Sequence, residues 1–496
     1  MVHVAIVGAY GSAGVAVADE LVARSEEFDE PLEVTLLDDG EPGGGLCILR
    51  GCMPSKDVLS AGQHRYQARH DDRLEGVPEA DPEAVVARKD EHVSEFADHR
   101  TSHVHDLAER ESVEFVHETA RFVDDRVLEA GNRRIEPDYV VIATGSVLDV
   151  PDLPGIDEVG FDSSADVLDT TTFPDSGIVM GFGYIGLELA PYLSEVGGVD
   201  LTVVEHDDHP LDEMESEYGE TILERYRDQF DIEVLTNTDE KRVEPIDDGG
   251  VRMVVEQDGD EDESDGSDPR ERTLEADRLY CFTGRRPNLG GLGLERTRLE
   301  PEDGWIESTM QTTADERVFV VGDANGREPI LHVAKEQGFA AAENIVRRHR
   351  GEDLEPYVNV PHHVIFSGLG VYPFARIGHT PATVAESGMN AFVVTRKASS
   401  DGVFATKNHP EGRATLIVDA ENGRVLGFQG LHLHADVMAK TMQVLVEMKV
   451  DVREVPKRAY HPTTPEILDG LLREACAELE GRQRCVGTGD SRDMAL

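Results

Sequence analysis

The chain has 496 residues, 47 glycines, five cysteines and a formal net charge of −53 at pH 7. That length supports three or four domains, the acidic excess argues against nucleic acid and anionic membrane as partners, and the few cysteines exclude a disulfide scaffold. No basic segment precedes an apolar one at the start, and no apolar run reaches the ~18 residues of a membrane span, so a cytoplasmic protein with no membrane partner is expected.

The first predicted element is a strand, Val4-Ala5-Ile6-Val7. It runs into a Gly-rich turn, Gly8-Ala9-Tyr10-Gly11-Ser12-Ala13-Gly14, and an apolar helix. A second strand, Val34-Thr35-Leu36-Leu37, ends at Asp38. Strand, Gly-rich turn, helix, strand and acid in this order form the dinucleotide-binding fingerprint. Glycines let backbone approach a pyrophosphate, the helix N-terminus attracts it, and the acid takes a ribose hydroxyl. Against the pattern G-x-G-x-x-G, Tyr10 reads as a one-residue insertion.

Next comes Gly44-Gly45-Leu46-Cys47-Ile48-Leu49-Arg50-Gly51-Cys52-Met53-Pro54-Ser55-Lys56. A cysteine pair in a cytosolic chain is more often catalytic or metal-binding than structural. Zinc usually takes four ligands, and no second closely spaced pair exists, so no metal is expected and a redox disulfide is the better reading. Along a regular helix five steps rise about 7.5 Å and turn about 500°. Bridged Cα atoms lie roughly 4.4–6.8 Å apart. The helix must therefore be distorted, and Gly51 makes that distortion cheap. The bland alternative is two unrelated buried cysteines.

Residues 70–115 carry charges at helical apolar spacing and read as exposed helices. Tyr139–Ile142 is a buried strand leading into Ala143-Thr144-Gly145. A second fingerprint comes next. The strand Gly177–Met180 leads into Gly181-Phe182-Gly183-Tyr184-Ile185-Gly186, and the strand Leu201–Val204 ends at Glu205, nineteen residues past Gly186. An acid there binds the 2′-hydroxyl of NAD and repels the 2′-phosphate of NADP. His206-Asp207-Asp208 offers no Arg clamp, so NAD is favoured. Asp258 to Arg272, rich in acids, Gly and Ser, reads as a solvated hairpin tip. Beyond it lie a second return, Tyr280-Cys281-Phe282-Thr283-Gly284, and a third strand, Val318–Val321, before Gly322-Asp323.

Residues 355–475 change texture, with strand-like runs at Val364–Phe366, Ala391–Val394, Ala414–Val418 and Val425–Phe428, then helices from about Ala435. Near the end stands His461-Pro462-Thr463-Thr464-Pro465-Glu466. Imidazole titrates near pH 6.5 and can both give and take a proton. A carboxylate on its other nitrogen fixes tautomer and orientation. Thr463-x-x-Glu466 is also a capping box, and the two roles can coexist. Cys476 and Cys485 read as incidental thiols in a frayed tail.

Taken together, residues 2–475 resemble the class I pyridine nucleotide-disulfide oxidoreductases, the family of dihydrolipoamide dehydrogenase, glutathione reductase and mercuric reductase. The resemblance implies an α/β fold of two nested Rossmann-like FAD and NAD domains plus an α+β C-terminal dimerisation domain. Residues 1–150 would form the first FAD segment, 151–280 the NAD domain, 281–350 the FAD return, 355–475 the dimerisation domain and 476–496 a tail. Gly8, Gly11, Gly14, Asp38, Lys56, Gly145 and Asp323 would hold FAD. Gly181, Gly183, Gly186 and Glu205 would hold NAD, with Gly284 either beside them at NAD or at the domain return. Cys47 would be the interchange thiol and Cys52 the charge-transfer thiol. Lys56 would pair with Glu188 beside the flavin, and His461 with Glu466 would be the acid–base, reaching across a homodimer. The family often has a second His where Ala459 stands.

The expected substrate is a small dithiol or disulfide. NAD preference and the His–Glu pair favour a dihydrolipoamide dehydrogenase-like activity, with a lipoyl domain as a candidate partner. The alternatives are a reductase of a γ-glutamylcysteine-type disulfide and a mercuric-reductase-like enzyme, against which Cys476 and Cys485 are not adjacent. A soluble transhydrogenase would lack Cys52. A reading of a different class, a non-catalytic NAD-binding regulator, has only Tyr10 in its support. The acidic excess with scarce Lys resembles proteins of salt-in halophiles, where abundant counterions screen self-repulsion.

Overall fold

The computed structural model describes every residue except 212–213, 259–268, 457, 459 and 490–496, and omits the side chains of 248 and 483–489. Ala459 and most of the expected 258–272 tip thus lie outside the described residues. The chain forms two compact units. One comprises Met1–Asp57, Glu83–Val150 and Gly284–Asn359; the other comprises Val58–Pro82, Pro151–Thr283 and Val360–Leu496.

The first unit is built on a parallel sheet of five strands, ordered Val318–Val320, Tyr139–Ile142, Val2–Val7, Leu32–Asp38 and Val113–His117. Its strands are continuous apolar runs because both faces are covered: Val4, Ile6, Val140, Val141 and Ile142 are fully buried. The helix Ser12–Ala23 packs on the helix Leu331–Arg350 through small residues. A Cβ added at Gly338 would lie 2.7 Å from Ala13 O. An antiparallel meander, Ala120–Asp124, Val127–Ala130 and Arg133–Ile135, completes this unit.

The expected exposed helices at 70–115 are one helix, Pro82–Ala108. Val104 and Leu107 join the main core cluster beside Val34 and Tyr139, so its C-terminal half is a buttress. Acidic, Pro- and Gly-containing residues between 71 and 81 do not continue the preceding helix, Cys52–Arg69.

The second unit contains another parallel five-stranded sheet, ordered Glu233–Leu235, Asp200–Val204, Ser176–Met180, Arg278–Cys281 and Asp162–Ser163. Its meander strands Val251–Gln257 and Arg270–Ala276 pair antiparallel, with Gln257 opposite Arg270. The C-terminal part is an antiparallel sheet ordered His362–Ile365, Phe374–Gly378, Val425–Leu431, Arg413–Asp419 and Ala391–Lys397. The helices Ala435–Glu447 and Glu466–Gly489 cover one of its faces, and Ala375, Leu416, Phe428, Met438, Leu471 and Leu479 form that core.

The expected tail boundary at residue 476 falls inside the helix Glu466–Gly489. Cys476 is 4 % exposed, in the same core as Leu472 and Leu479. The apolar spacing Ile467, Leu468, Leu471, Leu472, Ala475, Cys476, Leu479 carries the helix through the expected boundary at residue 476.

Candidate active site

The two cysteines sit on successive helices. Gly45–Leu49 ends at Arg50, whose backbone turns out of the helix (φ −145°, ψ 15°), and Cys52 opens the 18-residue helix Cys52–Arg69. The distortion demanded by the spacing is a complete break. At the break the chain returns onto itself: a Cβ at Gly51 would lie 2.9 Å from Leu46 O and 3.2 Å from Cys47 Cα. Any other residue there pushes Cys47 away.

The two thiols are hydrogen-bonded to each other. That bond, then burial, then the nearby Cys52 charge push the Cys47 thiol above its ordinary range, while the Cys52 backbone N–H and Arg100 act in the opposite direction. Ser55 Oγ donates to Cys52 O at 3.2 Å and accepts from Lys56 Nζ at 3.3 Å. A pair of thiols in this contact is the reduced form of a pair able to close into a disulfide.

Around the first Gly-rich turn, Gly8 has φ +96° and its Cβ would lie 2.3 Å from Ala143 O; a Cβ at Gly14 would lie 2.1 Å from Gly8 O. In the second, Gly181 has φ +91° with Phe282 O at 2.8 Å, and a Cβ at Gly186 would meet Gly181 O at 2.5 Å. Only glycine satisfies both the backbone conformation and the approach. Gly11 and Gly183 are the N-caps of Ser12–Ala23 and Tyr184–Glu195, and neither makes a side-chain cap hydrogen bond. First-turn N–H groups without a side-chain cap fit a pyrophosphate.

Each turn is tied to its acid. Asp38 Oδ2 accepts from Tyr10 N at 2.8 Å and its Oδ1 from Gly40 N at 2.9 Å. Glu205 Oε2 accepts from Phe182 N at 2.9 Å and its Oε1 from Asp207 N at 3.1 Å. Burial raises both carboxyls above their ordinary values. Tyr10 therefore stands where Phe182 stands, directly before the N-cap glycine, and the extra residue of the first turn is Ala9. The expectation that Tyr10 is the insertion is corrected. Tyr10 is buried against Phe115, with ring centroids 5.1 Å apart.

At Asp323, Oδ2 accepts from Ser146 Oγ at 2.7 Å, and Arg285 donates to Ser146 Oγ at 3.0 Å and Ser146 O at 2.7 Å. Ser146 and Arg285 were not singled out from sequence, although both adjoin the Thr-Gly returns at Gly145 and Gly284. Added Cβ atoms at Gly145 and Gly284 would meet nothing within 4 Å. Arg100 was missed entirely, since it lies among the charged residues of the long helix with no motif around it.

Lys56 belongs to the first unit and Glu188 to the second, where Glu188 Oε1 accepts from Phe366 N at 3.2 Å. His461 and Glu466 also belong to the second unit. His461 Nδ1 lies 3.1 Å from Glu466 Oε1, which also accepts from Thr463 N at 3.0 Å. Glu466 thus both caps its helix and orients the imidazole. The His461 side chain is 77 % exposed in the single chain, so its Nε2 edge faces outward. Cys476 Sγ donates to Val452 O at 3.4 Å inside the core, which makes it a packing residue.

Thiols that can pair, on a scaffold with two turns shaped for dinucleotides, make this chain a redox enzyme of the flavoprotein disulfide reductase class. Residues 2–338 match the family model for pyridine nucleotide-disulphide oxidoreductases, and residues 363–471 match the model for that family's dimerisation domain. The chain belongs to this family, whose members use FAD and NAD(H). Dihydrolipoyl dehydrogenase of Haloferax volcanii is 28 % identical over 457 residues, covering 90 % of this chain and 91 % of the relative. Mercuric reductase of Streptomyces lividans is 26 % identical over 492 residues, covering 96 % and 97 %. LpdA from Mycobacterium tuberculosis superposes with a TM-score of 0.78 at 21 % identity, covering 96 % and 99 %, which fixes the fold. The acidic composition accords with the halophilic relatives. Among the described residues no helix is long and apolar enough to cross a membrane, and no group of His, Cys, Asp and Glu could hold a metal.

Proposed function

We propose that this protein is a dihydrolipoyl dehydrogenase-like enzyme, passing electrons between the Cys47–Cys52 pair and NAD(H), with a small dithiol or a lipoyl group as substrate. The observation that carries this reading is the thiol pair itself, closed against the backbone at Gly51. FAD, when bound, supplies a two-electron acceptor between thiols and nicotinamide. Gly8, Gly11, Gly14, Asp38, Gly145 and Asp323 would hold it, with Lys56 at its reactive end. Gly181, Gly183, Gly186 and Glu205 would hold NAD.

Cys47 would exchange with the substrate sulfur and Cys52 would be the charge-transfer thiol. As the first substrate thiol attacks Cys47, the Cys47–Cys52 bond would break with Cys52 leaving as the thiolate, and His461 Nε2 would accept the one proton that thiol loses while Glu466 stabilises the imidazolium. Exposure of His461 in one chain suits a role completed by the partner subunit of a homodimer.

Two alternatives lose support. The non-catalytic regulator rested on Tyr10, which in fact ties the turn to Asp38. A mercuric-reductase-like role needs an accessible C-terminal thiol pair, and Cys476 is core. A γ-glutamylcysteine-type disulfide remains the competing substrate. Steady-state assays in molar KCl with lipoamide and small disulfides decide between them. The anaerobically reduced enzyme should show a long-wavelength thiolate-to-flavin band. Persistence of that band in Cys52→Ser would overturn the thiol assignment.

A further inference from the structure

Between the helices Ala435–Glu447 and Glu466–Gly489 the described residues form no other helix or strand, so no ladder holds the segment that carries His461. Most of its hydrogen bonds are local. Glu466 Oε1 accepts from Thr463 N at 3.0 Å, Glu466 N donates to Thr463 O at 3.2 Å, and Ile467 N donates to Thr464 O at 3.2 Å. Among the described residues, one hydrogen bond ties 461–466 to a distant part of the chain: Thr464 Oγ1 lies 3.0 Å from His434 Nδ1. Thr464 is buried, and it stands in the chain between the exposed His461 and the core residues Ile467 and Leu468.

His434 makes that contact from a disfavoured backbone. It follows the strand Val425–Leu431 and is the N-cap of the helix Ala435–Glu447, with φ +68° and ψ 22°. That left-handed region crowds the Cβ of most residues; glycine and asparagine enter it most readily. The His434 side chain does not cap its own helix, and among the described residues Thr464 is its one hydrogen-bond partner. Burial first, with Asp436 opposing and Lys407 assisting, holds its imidazole below the ordinary value. A neutral ring has one donor and one acceptor, and the rotatable Thr464 hydroxyl complements either tautomer. A disfavoured backbone kept at a residue whose side chain has this one contact points to the contact as its purpose.

We propose that His434 is a positioning residue for the acid–base step, pinning the segment 461–466 through Thr464 so that His461 and Glu466 keep the geometry that proton transfer needs. The proposal rests on the reading of His461 as the acid–base. In this role His434 neither gives nor takes the proton. The local bonds fix His461 against Glu466; the bond to Thr464 fixes where that pair stands against the rest of the C-terminal sheet and its helices. The effect therefore falls on the step in which a substrate thiol gives its proton to His461 Nε2, and reduction by NADH, which does not use the imidazole, is spared.

The test is anaerobic stopped-flow reduction of the holoenzyme, with dihydrolipoamide (dithiothreitol where that is inert) in one arm and NADH in the other. Four proteins are compared: wild type, His434→Gly, His434→Asn and Thr464→Val. His434→Gly relieves the backbone and removes the side chain; Thr464→Val keeps the shape and removes the hydroxyl. Each should slow reduction at saturating dithiol by roughly 10- to 100-fold, the scale of a small misplacement of a reacting group. Each should leave reduction by NADH at the wild-type rate. The double variant should be no slower than the slower single one, because both changes remove the same bond. His434→Asn suits the left-handed backbone and carries its amide where Nδ1 stands, so it should recover most of the rate. A wild-type dithiol rate in His434→Gly, equal losses in both arms, or His434→Asn as slow as His434→Gly overturns the proposal. If His434→Gly does not fold, Thr464→Val decides in the same way, since it leaves the backbone at 434 untouched. Failure of the underlying reading shows separately, because His461→Ala would then keep the wild-type rate with dithiol.

Discussion

The two Gly-rich turns build the same local structure from different lengths of chain. Gly181 and Gly183 are two steps apart, whereas Gly8 and Gly11 are three; from there to Gly186 and Gly14 the count is three in both. The extra residue, Ala9, falls in the segment before the helix. There the chain needs only to deliver one N–H to the acid, from Tyr10 to Asp38 or from Phe182 to Glu205. After the helix begins no freedom remains, because a Cβ at the third glycine would lie 2.1 or 2.5 Å from the carbonyl of the first. Insertion is tolerated where a hydrogen bond is the only demand and refused where backbone meets backbone.

The largest expected effect separates the chemistry of the two units. His461→Ala should cut dithiol turnover by roughly 10²–10⁴-fold, the range for a positioned acid–base group. Reduction of the flavin by NADH, which needs the turns and not the imidazole, should survive. Glu466→Gln should cost less turnover but also some stability, since Thr463 N loses a charged acceptor. Stopped-flow measurement of each half-reaction checks this, and equal losses in both would make His461 structural.

Next in size come the third glycines. Gly14→Ala and Gly186→Ala should each destabilise by about 1–3 kcal/mol, as overpacked contacts do, with Gly14→Ala the worse because its approach is closer. Gly14→Ala should lose flavin absorbance; Gly186→Ala should keep flavin and raise KM for NADH. Identical phenotypes would mean the two turns do not serve separate dinucleotides.

The acids sharpen the comparison further. With Glu205 fixed by Phe182 N and Asp207 N, kcat/KM should favour NADH over NADPH by ~10-fold or more, about 1.4 kcal/mol per decade. An equal or reversed ratio would show that another element supplies a phosphate site.

The smallest effect concerns the residue after each acid. Asp39 stands after Asp38, but His206 stands after Glu205 and lies 2.6 Å from Glu240 Oε2. That hydrogen bond, ahead of an opposing burial effect, raises the His206 imidazole from 6.5 to about 9. The folded state therefore holds this proton more tightly than the unfolded chain. Its stabilisation is complete below about pH 6.5 and is lost as pH rises through about 9. With His206 59 % exposed, solvent screening keeps the effect under about 1 kcal/mol. The Tm difference between wild type and Glu240→Gln, measured from pH 6 to pH 10, should shrink as pH rises; a constant difference would mean that His206 is not the group that titrates.

The sequence by itself determined both dinucleotide turns, the acids that end their second strands, the thiol pair and the His461–Glu466 pair. Each depends on residues close in the chain or on fixed strand–turn–helix spacing, and local backbone physics reads such patterns directly. Only the tertiary structure decided that the thiol helix breaks fully at Gly51, that Ala9 and not Tyr10 is the extra residue, and that Cys476 is core. It also decided that Ser146 bonds to Asp323 and Arg285 to Ser146, and that Arg100 bonds to the Tyr10 carbonyl. Arg100 stands 53 positions from Cys47 in the chain. Nothing in its neighbourhood of alternating charge marks it, because its fixed place comes only from the Tyr10 carbonyl that folding brings to it.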